Sequence, residues 1–275
     1  TEVGIREKLQ AKGCQFVDTT CGDVMSVWKR VRNYAKDEVT SIIHGKAYHE
    51  ETKATSSQAT AKDGHYLVVL TLEETDYVCN YIINGGDKDE FLNKFKDAHS
   101  KGFNPDQHLQ AVGVANQTTM MRGETEEVQR RIKSAIEQKY GAQKVDDHFR
   151  FFDTICGATQ DRQDALSLML KQPMDLLLVI GGYNSSNTSH LAELGESVLP
   201  TYFIKNAGEI QDAHLIKHFN RQTHEVEQSK NWLPSGPVTV GVTAGASCPN
   251  NLIEDVICRL LEFRGTSAEE FLSNE

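Results

Sequence analysis

The stretch DLLLVIGGYNSSNTSHLAELG, residues 175–195, decides the fold class. DLLLVI shows no alternation of apolar and polar residues. A strand built from it is covered on both faces, as buried parallel strands are. Two glycines and a polar run follow, and NTSHLAELG then reads as a helix. Strand, loop and helix in that order imply a mostly parallel sheet with helices on both faces.

The same order recurs in both directions along the chain. PVTVGV (237–242) leads to a helix with Leu252, Ile253, Val256, Ile257, Leu260 and Leu261 at helical spacing, and Pro249 near its first turn, where proline is tolerated. FRFFDT (149–154) leads to a helix around 159–171. QAVGVA (110–115) leads through NQTTMMRGE to a helix with Val128, Ile132, Ala135 and Ile136 on one face. HYLVVL (65–70) precedes ETDYVCNYII, and VTSIIH (39–44) precedes a helical ETKATSSQA. QFVDTT (15–20) reads as a first strand, followed by a helix with Val24, Val27, Trp28 and Val31 at i, i+3, i+4, i+7. The expected fold is therefore α/β, built as successive small parallel-sheet modules with a break near 144–149. NGGDKDEFLNKFKDAHSKGFNPDQH (84–108) reads as a charged, partly helical insertion that decorates the surface.

Composition narrows the function. The chain has 275 residues and a net charge of −10, with no Lys/Arg cluster, so nucleic acid is not an expected partner. The longest apolar run, MDLLLVI (174–180), is too short to span a bilayer, and no signal peptide opens the sequence. No membrane partner is expected, and the cytoplasm is the expected location. The six cysteines form no CxxC pair, which argues against a zinc ribbon or a thioredoxin-like motif. Their scatter suggests a reducing compartment.

Ligands of open α/β sheets bind beyond the carboxyl ends of the strands. The loops there hold Cys21; His44, His49, Glu50 and Glu51; Thr118 and Thr119; Cys156; Ser185, Ser186 and Asn187; and Ser247 with Cys248. GGYNSSN and TAGAS each join a buried strand to a helix start, where backbone N–H groups and small hydroxyls suit a phosphate or diphosphate. Ser and Asn in such loops also cap helices routinely. Neither loop is a Walker A motif, since no GKS or GKT follows the glycines. HEET fails the HExxH test of a zincin because position 53 is Lys. Glu51 lies two residues after His49, so both suit one loop-borne site, and a carboxyl beside bound substrate can donate a proton. A solvated glutamate at a helix N-terminus is the plainer reading, and Thr118 alone reads equally well as structural.

DTTCG (18–22) and DTICG (153–157) repeat one phrase, each placing a thiol after a strand and before a helix. Helix N-termini favour the thiolate, the form that binds metal. Each cysteine taken singly also fits a buried core thiol, whereas the repeat favours shared ligation by Cys21 and Cys156. Cys14, Cys79 and Cys258 read as structural, and Cys248 starts a helix beside Ser247.

Taken in order, VDTTC, IIHGKAYHEET, ANQTTMMRGETEE, DTICGATQDRQDA, GGYNSSNTSHL and GVTAGASCP resemble the 4-hydroxy-3-methylbut-2-enyl diphosphate reductase family, over nearly the whole chain. The 84–108 insertion and HGKAYHEET resemble its cyanobacterial and plant branch. The resemblance implies three similar α/β modules in a pseudo-threefold arrangement around a 4Fe–4S cluster with one open iron. It implies that Cys21 and Cys156 are metal ligands and that a third cysteine lies in an N-terminal GFCWGV-type motif. Since the sequence has no such motif, it reads as a fragment: 1–21 the end of an incomplete N-terminal module, 22–148 a middle module, 149–265 a C-terminal module and 266–275 a tail. Glu51 and Thr118 are implied as catalytic, with Thr118 also near the substrate hydroxyl. His49, Ser185, Ser186, Asn187 and Ser247 are implied to bind the diphosphate. The implied reaction is the reductive dehydroxylation of 4-hydroxy-3-methylbut-2-enyl diphosphate to isopentenyl and dimethylallyl diphosphate, the last step of the non-mevalonate isoprenoid pathway. Ferredoxin or flavodoxin is the implied electron donor, and a plastid the location in a photosynthetic eukaryote. Two other readings stand beside it: a non-redox diphosphate-binding protein on the same loops, and a metal-dependent hydrolase using His44, His49 and Glu51.

Overall fold

The computed structural model describes residues 1–152, 155–266 and 269. Asp153 and Thr154 of the second DTxCG copy, and most of the tail, lie outside them. The chain divides into two compact units, residues 1–156 and 157–275.

Unit 1 opens with α1 (Val3–Ala11), which packs on a later helix through a bond from Val3 N to Ser57 Oγ (3.0 Å). Residues 14–21 belong to no helix or strand, so the strand expected at 15–20 is absent. A strand needs a neighbour for its backbone groups. Here the segment joins neither edge of the sheet, and Val17 is 83% exposed. Then follow α2 (Gly22–Lys36), β1 (Thr40–His44), α3 (Glu50–Thr60), β2 (Tyr66–Val69), α4 (Leu72–Asn84), α5 (Lys88–Lys94), α6 (Pro105–His108), β3 (Val112–Asn116), α7 (Arg122–Tyr140), α8 (Val145–His148) and β4 (Phe149–Phe151). The four strands form one parallel sheet in the order β2-β1-β3-β4. Because β4 pairs with β3, residues 149–151 complete the first sheet. The division between units thus falls after Cys156 and not at the expected 148/149.

Side chains alternate along a strand, so a strand that is apolar throughout feeds two cores. In β1 and β3, Ile42, Val112 and Val114 join α4 and α7 on one side, with Val128, Ile132, Ala135 and Ile136 of α7 all buried. Ala115 meets Val27 and Val31 of α2 and Ala59 of α3 in a second cluster.

The 84–108 insertion does more than decorate the surface. Phe91, Phe95 and Phe103 are buried in the main core of this unit, and the Phe91 ring meets Tyr81 edge-on at 4.7 Å. The insertion also closes the edge of β2, through bonds from Val68 N to Ala98 O (2.7 Å) and Ser100 N to Tyr66 O (3.1 Å). Its many charges masked three aromatic anchors.

Unit 2 comprises α9 (Gly157–Met169), β5 (Leu176–Ile180), α10 (Ser186–Glu196), β6 (Thr201–Ile204), β7 (Leu215–Asn220), β8 (Glu225–Lys230), β9 (Val240–Ala244) and α11 (Asn250–Glu262). The parallel sheet runs β6-β5-β9, and β7 and β8 form an antiparallel hairpin. The central strand β5 serves two cores. Leu176, Leu178 and Ile180 pack with Val256 of α11 and Trp232, while Leu177 and Val179 pack with Leu166 of α9 and Leu191 of α10. In α11, Leu252, Ile253, Val256 and Leu260 face the core, Ile257 is exposed, and Pro249 is the N-cap residue.

Phe91→Ala is expected to destabilise the protein by about 3–5 kcal/mol, measured by denaturant unfolding. A loss within about 0.5 kcal/mol would return the insertion to the status of a surface decoration.

Candidate active site

In unit 1 the candidate residues gather at the carboxyl ends of β1 and β3. These strands pair in register through His44 and Asn116, so the loops after them run side by side. The loop after β1 holds Gly45, where a Cβ would stand 2.8 Å from Gln117 Cβ. Only glycine lets the two loops approach so closely. The same close approach lets Gln117 Oε1 accept bonds from Lys46 N and Thr52 Oγ1, both 3.2 Å, while its Nε2 donates to Thr119 Oγ1 (2.8 Å). Sequence reading missed Gln117, although it stands inside the quoted NQTT run.

His49 is the N-cap residue of α3, and its Nδ1 accepts from Glu51 N at 3.2 Å. In a neutral ring whose Nδ1 accepts, the proton sits on Nε2. Burial, and then the positive charge of Lys46, holds the His49 pKa below that of an ordinary histidine, so the ring is a neutral N–H donor near neutral pH.

Glu51 turns inward from the first turn of α3. Its Oε1 accepts from Thr118 N at 2.6 Å, and the Thr118 hydroxyl also bonds the carboxyl. Burial pushes the Glu51 pKa up, and the two Thr118 bonds pull against it; burial is the larger effect and the net shift is upward. Thr118 is buried, and its carbonyl accepts from Cys156 N at 3.1 Å. One residue thus ties the acid, through its N–H, to the candidate iron ligand, through its C=O. Glu51, Thr118 and Cys156, from three separated stretches of the sequence, are thus linked through the backbone of Thr118.

His44 stands apart from this line. It is buried at the end of β1, with Nδ1 2.8 Å from Thr125 Oγ1 of α7. Among the described residues no three His, Cys, Asp or Glu side chains come together in a way that could hold a metal ion. The His44–His49–Glu51 set is therefore no metal centre. Cys21 is exposed and is the N-cap residue of α2; Cys156 is partly exposed and directly precedes α9. Both are free thiols. They suit iron–sulfur ligation in chemical kind, as accessible cysteine sulfurs, but two thiols do not complete a ligand set.

In unit 2 two further loops meet. Strands β5 and β9 pair through Ile180 and Ala244, so 181–187 and 245–249 are adjacent. A Cβ on Gly245 would overlap Thr188 Oγ1 and lie 3.7 Å from Ser185 Oγ. Ser185 caps α10, accepting from Thr188 N (3.3 Å) and Thr188 Oγ1 (2.9 Å), which leaves its own O–H as a donor. Ser186 is buried and Ser247 exposed. Asn187 is 4% exposed, yet neither Nδ2 nor Oδ1 has a partner among the described residues. Buried amides are normally paired, and an orphan of this kind marks a place for a polar ligand or a water. Sequence reading missed Thr188, the wedge between the two loops.

The model of the LytB protein family matches residues 1–261. The chain belongs to that family. Relatives named 4-hydroxy-3-methylbut-2-enyl diphosphate reductase include those of Cyanothece sp., 48% identical over 261 residues, and Gloeobacter violaceus, 50% identical over 258 residues. Each alignment covers 94% of this chain but only 63% and 61% of the relative. The chain thus spans about three fifths of the length of these relatives. A solved structure of (E)-4-hydroxy-3-methyl-but-2-enyl diphosphate reductase, the terminal enzyme of the non-mevalonate pathway, matches at TM-score 0.50 and 25% identity, over 95% of this chain and 73% of that one. The Plasmodium falciparum reductase matches at TM-score 0.62 and 19% identity, over 94% and 64%, and supports the α/β fold alone. Among the described residues of this LytB family member, no helix is long and apolar enough to cross a membrane.

A carboxyl whose folded pKa is raised stabilises the fold fully below its unfolded pKa, and that contribution is lost as pH rises through the folded value. Carbon-13 NMR of the Glu51 carboxyl is expected to give a midpoint above that of an ordinary glutamate, with Glu51→Gln no less stable than wild type above it. A midpoint at or below the ordinary value would show that the Thr118 bonds outweigh burial.

Proposed function

We propose that the protein catalyses the reductive dehydroxylation of 4-hydroxy-3-methylbut-2-enyl diphosphate to isopentenyl and dimethylallyl diphosphate. The reading takes a 4Fe–4S cluster as cofactor, ferredoxin or flavodoxin as electron donor, and the cytoplasm, or a plastid, as location. Family membership and the names of the relatives support the reaction class. The observation that carries the reading to this chain's own residues is the line from Glu51 through Thr118 to Cys156. It sets a partly buried acid beside a candidate iron ligand.

In each turnover the allylic C–O bond breaks, two electrons and two protons enter, the hydroxyl leaves as water and one C–H bond forms. Held by Cys21, Cys156 and a further ligand, the cluster would supply the electrons and the Lewis acidity that side chains lack. Glu51 supplies a proton. Its Oε1 is occupied by Thr118 N–H, so the acidic proton resides on Oε2. Burial keeps that carboxyl protonated to higher pH than a solvated glutamate. The Thr118 hydroxyl orients the carboxyl and the substrate hydroxyl. His49 donates its Nε2–H to a phosphate oxygen and, with Nδ1 fixed by Glu51 N, does so as a neutral ring. In unit 2, Ser185, Ser186, Asn187 and Ser247 supply hydroxyl and amide donors to the diphosphate. Fixing the substrate in this way converts binding into orientation.

In the intact protein, reconstituted anaerobically with iron and sulfide, Mössbauer spectroscopy is expected to show a 4Fe–4S cluster with one distinct iron that shifts when substrate is added. Glu51→Gln is expected to keep the cluster and lower kcat by roughly 10²–10⁴-fold. No cluster, or a cluster indifferent to substrate with full diphosphate binding in Cys21→Ser and Cys156→Ser, would make this a non-redox diphosphate-binding protein.

A further inference from the structure

The 84–108 insertion is tied to the edge of β2 through Ser100, and Ser100 in turn meets a pair of histidines. Ser100 is buried. Its N–H donates to Tyr66 O (3.1 Å), its Oγ accepts from Tyr66 N (3.3 Å) and its C=O accepts from Phe103 N (3.1 Å). The same Oγ lies 2.9 Å from Nδ1 of His65, the residue before β2. The His65 ring stacks on that of His108, the last residue of α6, with centroids 3.6 Å apart and planes 16° from parallel. Phe103 closes the group, its centroid 5.5 Å from His108 and 6.3 Å from His65. One ring thus comes from the sheet side and the other from the insertion.

This contact needs neutral rings. His108 Nδ1 accepts from Asn104 N at 2.9 Å, so its proton sits on Nε2. The next proton can bind only at Nδ1, where it would face the Asn104 N–H and break that bond. Two imidazolium ions stacked at this distance would also repel each other. Burial holds the pKa of both half-buried histidines below the ordinary value, and at His108 the charges of His65 and Lys88 add to the effect. Among the described residues no carboxylate bonds to either ring. Asp106 of α6 accepts instead from Tyr81 OH of α4 (2.7 Å). The remaining charges around the pair are exposed: Lys88 of α5, Lys101, Lys62 and Asp63 in the turn before β2, and Lys36, Asp37 and Glu38 after Ala35 of α2, which packs on that turn at Gly64. His99 turns away, with Nδ1 3.0 Å from Ser100 O.

We propose that the His65–His108 stack is an acid-released latch that holds the insertion on the edge of β2. Once released, each ring is solvated and titrates as an ordinary histidine, near pH 6.5. Docked, both rings stay neutral to lower pH. Protons therefore favour release: the latch is fully closed above the ordinary histidine range and weakens as pH falls below it. What opens is the pairing of Val68 N with Ala98 O and of Ser100 N with Tyr66 O, which bares the backbone edge of β2. The opening is local and precedes global unfolding.

Amide hydrogen exchange of the intact protein, read by NMR at about pH 7.5 and about pH 5.5 and corrected for the intrinsic rate, tests the latch on either side of the histidine range. Protection of Val68 and Ser100 is expected to fall by up to about tenfold per pH unit for each ring that takes up a proton. Gln117, whose N–H bonds His44 O on the far side of β1, should keep its protection. His108→Asn keeps an acceptor near the Nδ1 position and cannot titrate, so H108N is expected to lose most of the pH dependence. Should that variant fail to fold, the ring resonances of wild type decide: both midpoints are expected below the ordinary histidine value and to track the loss of protection at Val68 and Ser100. Equal protection at the two pH values in wild type, an undiminished drop in H108N, or a drop shared by Gln117 would overturn the latch.

Discussion

Strands covered on both faces are the constraint from which the rest of the structure follows. Leu176 to Ile180 bury every side chain, alternately toward α11 and toward α9 and α10. β1 and β3 do the same in unit 1. Burying each of these aliphatic side chains contributes about 1.5–3 kcal/mol, so neither face can be left to solvent. Helices must therefore lie on both sides, which requires parallel strands with crossover connections. Parallel strands put their carboxyl ends on one edge, and the polar loops gather there. In both units the meeting of two loops is a consequence of register: His44 opposite Asn116, and Ile180 opposite Ala244.

This explains what could be read from the sequence. An apolar run without alternation has one physical solution, so β1, β2, β3, β5 and β9 were legible, as were the helices behind them. QFVDTT failed because a strand depends on a partner, and partners are not encoded in the segment itself. The insertion was misread because its charged residues outnumber its aromatics, yet three phenylalanines decide where it lies. The hairpin β7–β8 was missed because KHFN and EVEQ are mostly polar, half-exposed and carry no strong turn signal. The boundary between units came out early because strand pairing assigns Phe149–Phe151 to the sheet before it.

The electrostatics of the candidate site share one cause. Burial disfavours charge of either sign, so it raises the acid Glu51 and lowers the base His49. Both are pushed toward their neutral forms. A neutral carboxyl has a proton to give, and a neutral imidazole with Nδ1 engaged has one N–H to donate. The single bond from Glu51 N to His49 Nδ1 serves both, since it caps the helix that carries Glu51 and fixes the tautomer of His49. Helix capping and site chemistry are here the same interaction, so weighing one against the other, as sequence reading must, sets up a choice the molecule does not make.

Thr118 shows why the rest of the site was hidden. Its N–H holds Glu51 and its C=O holds the backbone of Cys156, and both contacts come from groups that every residue except proline possesses. Side-chain identity cannot reveal them. What the threonine adds is a hydroxyl on the same carboxyl and a compact shape that fits a buried corner. The loop is in turn held by Gln117, whose amide bridges Lys46 N, Thr52 and Thr119. Glu51 and the Cys156 backbone are thereby held by the two successive peptide groups that flank the Thr118 Cα. Replacing the Thr118 side chain would remove one hydrogen bond from Glu51, whereas displacing the Thr118 backbone would release Glu51 and Cys156 together. The placing of Glu51 and of the Cys156 backbone therefore depends less on either side chain than on the turn after β3 that holds both.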